Sequence, residues 1–242
     1  MKARRKKEMM KKGIDVSEWQ GTIDWTKVKA DYAIIRAGYG RLISQKDKTF
    51  EQNYAGAKAA GIPIGSYWYS YATSEAEAKA EAAVCLEVLK GKQFEYPIYM
   101  DIEEKRTLTL GMEKVSAIIN AFLRELEKAG YFCGIYMSAN PLMNCVNEAT
   151  RRRYTVWVAH YGVSKPGYSG QYGMWQKASD GSHPGVAGNV DVDECYVDFP
   201  SIIKAKGDNG FPKPTAPAPT KKTMKVTVEY DDHTYSGLLE EQ

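Results

Sequence analysis

Closely spaced acids close the stretch Tyr96-Pro97-Ile98-Tyr99-Met100-Asp101-Ile102-Glu103-Glu104 and are the chain's first candidates for catalysis. A short apolar and aromatic run after Gly91, opened by Pro97, reads as a buried strand. It ends in acid. Side chains alternate faces along a strand, so Asp101 and Glu103 are expected on one face, with Ile102 and Glu104 on the other. Carboxylates at i and i+2 stand roughly 6–7 Å apart at their bases, since a strand rises about 3.3 Å per residue. Charges that close resist joint ionisation, so one acid should hold its proton to an elevated pH. A protonated carboxyl beside an ionised one is the pairing that cleavage of a glycosidic bond requires. The plainer reading is that the acids simply solvate a strand end.

The surrounding elements must bring partners to that strand end. Strand and helix patterns alternate from Gly13 to about Lys206, as repeated βα units do. Strands are predicted at Lys12–Val16, at 31–38 (largely apolar, hence buried on both faces), at Ile62–Tyr71, at Phe132–Met137, and at Tyr154–His160, Gly170–Lys177 and Gly188–Asp193. A helix is predicted over about 47–60, closed by Gly61. Another opens on Ser74 and Glu77 as a capping box, with Ala76, Ala80, Val84 and Val88 on one face. The clearest helix carries Val115, Ile118, Ile119, Phe122, Leu123 and Leu126 at i, i+3, i+4, i+7 spacing and ends at Gly130. Asn140-Pro141 reads as a turn before a shorter helix. About eight strands and five helices predict an α/β fold, a modified barrel of the triosephosphate-isomerase type whose last units have lost their helices. Chemistry in such barrels gathers at the C-terminal strand ends. Those ends would carry Asp15, Arg36, Tyr69, Asp101 with Glu103, Tyr136, His160 with Tyr161, Gln176 and Asp191.

Composition excludes several classes. The 242 residues are 43% hydrophobic and 26% charged, ordinary for a globular protein, and no apolar run approaches a membrane span. The net charge of +3 hides an asymmetry, because residues 1–12 hold seven Lys/Arg against one Glu and the remainder is net acidic. That segment reads as a disordered basic tail; it has no interleaved aromatics for nucleic-acid binding and no apolar run of a secretory signal. Synthesis in the cytoplasm without a signal peptide is therefore expected. Four cysteines lack C-x-x-C spacing and three histidines are scattered, so neither a metal site nor a cofactor is expected. Gly38-Tyr39-Gly40 lacks the third glycine and helix start of a nucleotide loop.

Several motifs together resemble glycoside hydrolase family 25, the Chalaropsis-type lysozymes. They are Gly13-Ile14-Asp15-Val16-Ser17-Glu18-Trp19-Gln20-Gly21, Ile34-Ile35-Arg36-Ala37-Gly38-Tyr39-Gly40, Gly65-Ser66-Tyr67-Trp68-Tyr69, Asp101-Ile102-Glu103, Gly134-Ile135-Tyr136, Trp157-Val158-Ala159, Trp175-Gln176 and Asn189-Val190-Asp191. They occur in the family's order over about residues 13–200. The resemblance implies a β-1,4-N-acetylmuramidase acting on bacterial peptidoglycan glycan strands. It implies Glu103 as general acid/base, Asp101 as the carboxylate that steadies the 2-acetamido group or the cationic centre, and Asp15 and Asp191 as further cleft acids. Asp193 shares a face with Asp191, so either could be the fourth acid. Retention of configuration with acetamido assistance is implied as well. Arg36, Tyr67, Trp68, Tyr69, Tyr136, Trp157, Tyr161, Trp175 and Gln176 are the candidate sugar contacts, core packing being the alternative for about half of the aromatics. Relatives commonly carry His where Trp68 stands.

The rivals are another wall-active glycosidase, glucosaminidase-like or chitinase-like, and a non-catalytic glycan-binding module. The family 18 chitinase pattern D-x-x-D-x-D-x-E fits poorly, because Tyr99 falls where an acid belongs. Lacking a signal peptide, the chain resembles a phage or prophage endolysin acting at the wall after release. The expected organisation is a basic tail at 1–12, a catalytic barrel at 13–206, a Pro-rich linker at 207–222 and a β-hairpin at 223–242. Two strands alone are marginal in water, so the hairpin should dock on the barrel, bind a wall component or pair two copies, and of these pairing into a homodimer is expected.

Overall fold

Eight short strands close into a barrel in the computed structural model, which describes residues 10–214 and 223–240. They are β1 (Lys11–Val16), β2 (Tyr32–Tyr39), β3 (Ile64–Tyr69), β4 (Ile98–Asp101), β5 (Cys133–Ser138), β6 (Thr155–Ala159), β7 (Met174–Gly181) and β8 (Val190–Cys195). Neighbours in sequence are neighbours in the barrel, and every pairing from β1 to β7 is parallel. β8 runs antiparallel to both β7 and β1. The reason is length: residues 182–189 are too few for the crossover a parallel strand needs. Asp191 therefore stands at the start of its strand, not at its C-terminal end as expected, yet at the same mouth, because it lies opposite Asp15 in the β1–β8 register.

Seven helices accompany the strands among the described residues: α1 (Phe50–Ala59), α2 (Glu75–Leu89), α3 (Lys105–Leu108), α4 (Met112–Lys128), α5 (Ala139–Cys145), α6 (Glu148–Arg153) and α7 (Phe199–Lys206). Five of them span seven residues or more, and no helix separates β6 from β7 or β7 from β8. α4 buries all six of the apolar residues its spacing singled out, each contributing roughly 1.5–3 kcal/mol. The face expected of α2 is out of phase: Ala76 and Ala80 are exposed, while Ala78, Ala82, Cys85, Val88 and Leu89 face the barrel. Alanine is too weakly apolar to fix a helix phase, and Cys85 and Leu89 decide it. Ser74 does cap α2, accepting from the Glu77 N–H at 3.2 Å. Asn140 and Pro141 lie within the first turn of α5 rather than in a turn before it, where proline forfeits no helical hydrogen bond.

The parallel strands set two side-chain layers by strict alternation. One points out to the helices and includes Ile35, Trp68, Met100, Ile135, Val158 and Trp175. The other fills the barrel with Tyr32, Ile34, Tyr99, Tyr136, Trp157 and Met174. Above this aromatic plug the inward positions turn polar, and there the site lies.

The expected boundaries shift at both ends. Lys11 and Lys12 belong to β1, and the Lys12 N–H is held by Asp31 at 2.8 Å; residues 1–9 of the tail lie outside the described residues. Residues 207–211 belong to the barrel rather than a linker. Gly207 closes α7 at φ 68°, and fully buried Asn209 donates to the carbonyls of Phe94 and Tyr96 and accepts from the Phe132 N–H. Residues 215–222, the centre of the expected linker, lie outside the described residues. The hairpin pairs β9 (Thr223–Tyr230) with β10 (His233–Glu240) around Asp231-Asp232. Both turn residues have positive φ, 49° and 56°, the geometry of a two-residue hairpin loop.

Candidate active site

A cleft of about 250 Å³ opens at the mouth of the barrel. β1 brings Asp15 to it, β2 Arg36, β3 Tyr67 and Tyr69, β4 Asp101, β5 Tyr136, β6 Trp157, β7 Gln176 and β8 Asp191; Glu103 and Tyr161 enter from the loops after β4 and β6. Thirteen residues were expected at the site, and these eleven line the cleft together. The other two do not. Trp68 and Trp175 are buried in the outer layer, 0% and 4% exposed, with their indole N–H groups donated to the Gly40 and His160 carbonyls. Alternation accounts for both: Tyr67 and Tyr69 face inward, so Trp68 cannot, and inward Gln176 sends Trp175 outward. Trp68 packs over Gly38, where a Cβ would lie 2.7 Å from the indole ring.

The acid strand ends sooner than expected. β4 stops at Asp101, so Glu103 sits in the following loop and its place beside Asp101 does not come from strand alternation. Loop and strand give the two acids different surroundings. Asp101 is 4% exposed, and its Oδ1 is buried without a hydrogen-bond partner. Glu103 is exposed to the cleft. Burial, then the Glu103 charge, push Asp101 well above the usual carboxylate range, against the pull of Arg36. Burial, then the Glu104 charge, also raise Glu103, which Tyr136 partly offsets by hydrogen bonding. The pair is thus poised to keep one proton at a pH where free carboxylates have lost theirs. Glu104 accepts from the Tyr69 hydroxyl at 2.9 Å, so it serves the rim instead of pointing away.

Asp15 anchors the opposite wall. Its Oδ2 accepts from Gln176 Nε2 at 2.7 Å, and Gln176 Oε1 accepts the hydroxyls of Tyr136 and Tyr161, each at 2.6 Å. Burial, then the charges of Asp193 and Asp191, push Asp15 well up. Burial, then Glu103, bring Asp191 up to about 6. Of the two candidates for the fourth acid, Asp191 lines the cleft and Asp193 lies beneath it, fully buried.

Arg36 reaches the cleft but is committed to protein partners. Its Nε donates to Asp47 at 2.8 Å and its Nη2 to Glu18 at 2.7 Å. Asp47 also accepts the Glu18 N–H, tying down the 3-10 turn Glu18–Gln20 that follows β1. That turn holds Trp19, which lines the cleft while 81% exposed. Trp19 is not among the expected sugar contacts, although it stands in the first family motif. The available signal was its position just past a strand end that carries an acid.

A cleft walled by four carboxylates and flat aromatic rings suits a sugar substrate and acid-assisted cleavage. The family model of glycosyl hydrolases family 25 matches residues 14–186. The chain belongs to that family. It is 31% identical over 186 residues to the autolytic lysozyme of Clostridium acetobutylicum, an alignment covering 76% of this chain and 55% of that protein. The chain thus spans little more than half of that relative. Among solved structures, the CTP1L endolysin superposes with a TM-score of 0.72 at 26% identity, covering 81% of this chain and 70% of the other. The bacterial lysozyme from Streptomyces coelicolor superposes with a TM-score of 0.69 at 28% identity, covering 83% and 98%. As a family 25 member the chain has the mixed eight-stranded barrel, with its single reversed strand carrying Asp191.

Proposed function

We propose that this family 25 chain is a peptidoglycan muramidase cleaving the β-1,4 bond between N-acetylmuramic acid and N-acetylglucosamine with retention of configuration. The observation that carries the reading is the Asp101–Glu103 pair at the cleft floor, one acid buried and the other open to the cleft, both pushed towards holding a proton. Glu103, on a loop and reaching the cleft, delivers the proton to the leaving glycosidic oxygen as the C1–O bond breaks. The carbonyl oxygen of the substrate's own 2-acetamido group then closes on C1 to give an oxazolinium ion. The acetamido N–H gives the unpartnered Oδ1 of Asp101 the donor that favours its carboxylate, against the burial that otherwise holds it protonated, so Asp101 accepts that N–H as an anion and Glu103 keeps the proton. Water attacks C1 next, the oxazolinium C1–O bond breaks to restore the acetamido group, and the water yields its proton to the Glu103 carboxylate, restoring the acid. Asp15 and Asp191 add the negative charge that favours a cationic centre. Trp19, Tyr67, Tyr69, Tyr136 and Tyr161 offer ring faces and hydroxyls to the sugars.

Supporting the substrate class, the relatives above are named as lysozymes and an endolysin. We further propose action at the bacterial wall after release from the cell, and pairing of two chains through residues 223–240. No helix among the described residues is long and apolar enough to cross a membrane. The deciding experiment digests purified cell walls and identifies the new reducing ends by mass spectrometry. Muramic acid ends are expected. Glucosamine ends would make the chain a glucosaminidase, and no new ends would leave a glycan-binding module.

A further inference from the structure

Below the cleft lies an acid that the proposed reaction does not use. Asp193 is 0% exposed, on the inward face of β8 two residues deeper than Asp191. Its Oδ1 accepts the Trp157 indole N–H at 2.8 Å, and its Oδ2 has no conventional donor. Asp15 is its diagonal neighbour on the inward face, since the β1–β8 register sets Gly13 opposite Asp193 and Asp15 opposite Asp191, and each acid shifts the other's titration. Asp15 is itself 4% exposed, its Oδ2 already taken by Gln176. The other groups facing the two acids are Asp191 and Cys195 on β8, Tyr32 on β2, Tyr67 on β3, Tyr99 on β4, and Tyr136 and Tyr161 at the mouth. None carries positive charge, and Arg36 is bound to Asp47 and Glu18. Two neighbouring carboxyls, buried and without a cation, resist joint ionisation. A single proton between them removes the repulsion and gives the orphan oxygen a partner.

We infer that Asp193 is a positioning residue that shares one proton with Asp15, so that the pair carries a single negative charge and holds Asp15, Gln176 and the Tyr136 and Tyr161 hydroxyls in one fixed array. The chain of contacts runs from Trp157 through Asp193, Asp15 and Gln176 to Tyr136, which also hydrogen-bonds Glu103. Asp193 would therefore set the surroundings of the general acid without touching substrate. The pairing is independent of which glycan is cleaved.

The Trp157 indole N–H is a built-in reporter because its acceptor is Asp193. In the full-length protein its NMR resonance, assigned with W157F, should show one inflection near pH 8, where the buried pair gives up its shared proton. In D193N, where the amide oxygen still accepts the indole and the amide nitrogen donates to Asp15, the resonance should not move between pH 5 and 9. Stability gives a second reading. An acid protonated when folded and ionised when unfolded loses stability as pH rises from about 4 towards 8. The wild-type melting temperature should therefore decline across that window more steeply than that of D193N. D193L, which cannot bridge Trp157 and Asp15, should lose more than tenfold in kcat, and D193N should recover most of it. An indole resonance that is flat from pH 5 to 9 in the wild type overturns the inference, even if neither variant folds. So do melting profiles for wild type and D193N that run parallel. The resonance and melting readouts need no activity, so they stand or fall apart from the muramidase reading.

Discussion

Asp101 and Glu103 differ in burial, and that difference divides their labour. A proton donor must move with its proton, and Glu103 on its loop has the freedom that Asp101, at the end of β4, lacks. Glu103→Gln should leave the melting temperature nearly unchanged and lower wall-digesting kcat at least about a hundredfold, the usual scale for loss of a general acid; turbidity clearance of purified walls measures it. The pH profile tests the electrostatics. After burial, the Glu104 charge is what raises Glu103. A negative neighbour disfavours the ionised form, so its removal lets Glu103 lose its proton at lower pH. Glu104→Gln keeps an acceptor for the Tyr69 hydroxyl, and should move the alkaline limb of kcat/KM to lower pH while the fold persists. A limb that stays put or moves up would assign the alkaline loss to another acid.

Elements decide which of these side chains meet. Alternation along each strand selects the inward set, and it was legible in the sequence wherever the strand's phase was respected: Asp15, Arg36, Tyr136, Trp157 and Gln176 all reach the cleft. In the Tyr67-Trp68-Tyr69 run three neighbours cannot share one face, and Trp175 cannot share that of Gln176. Burial of Trp68 and Trp175 against the helix layer is the physical outcome. The reversal of β8 was not legible in its own residues; it follows from the shortness of the connection before it. Nor does local sequence disclose Asp47, 29 residues beyond Glu18, as the anchor of the 3-10 turn. Asp47 is 2% exposed and accepts from Arg36, Glu18 and Thr49. Asp47→Ala should cost about 3 kcal/mol, since it leaves a buried guanidinium short of a partner, and thermal or denaturant unfolding reads the loss directly. Trp19 on that turn offers an isolated test of sugar stacking. Being 81% exposed, it contributes little to the fold. Trp19→Ala should raise KM roughly fivefold, about 1 kcal/mol of ring contact, with kcat and melting temperature nearly unchanged. A fall in kcat instead would mean that the ring positions the scissile bond.

At the scale of the whole molecule, the hairpin is the part whose stability the barrel does not explain. In the β9–β10 register Val228 faces Tyr235 and Tyr230 faces His233, so Met224, Val226, Val228, Tyr230 and Tyr235 share one side of the ribbon. Met224, Val228, Tyr230 and Tyr235 are 53–75% exposed, while the opposite side carries Lys225, Thr227, Glu229, Thr234 and Ser236, with Leu238 its one large exposed apolar residue among the described residues. A two-stranded ribbon with an uncovered apolar side is marginal alone, and two such sides laid together would bury it. Phe211 packs on the barrel cluster with Phe132 and Val197, so the cut that spares the barrel falls after Pro214, not after Gly210. If the ribbons pair, the full chain should sediment near twice the mass of one chain, and the chain ending at Pro214 should sediment as a monomer with its barrel melting unchanged. Tyr235→Lys in the full chain should give the same monomer, because a charge in the centre of the buried patch loses its hydration without gaining a partner. Full-length protein that remains monomeric at high concentration rules the pairing out. If it then loses wall retention on truncation, the apolar side belongs to a wall component, and the hairpin supplies affinity to a barrel that keeps all of its chemistry.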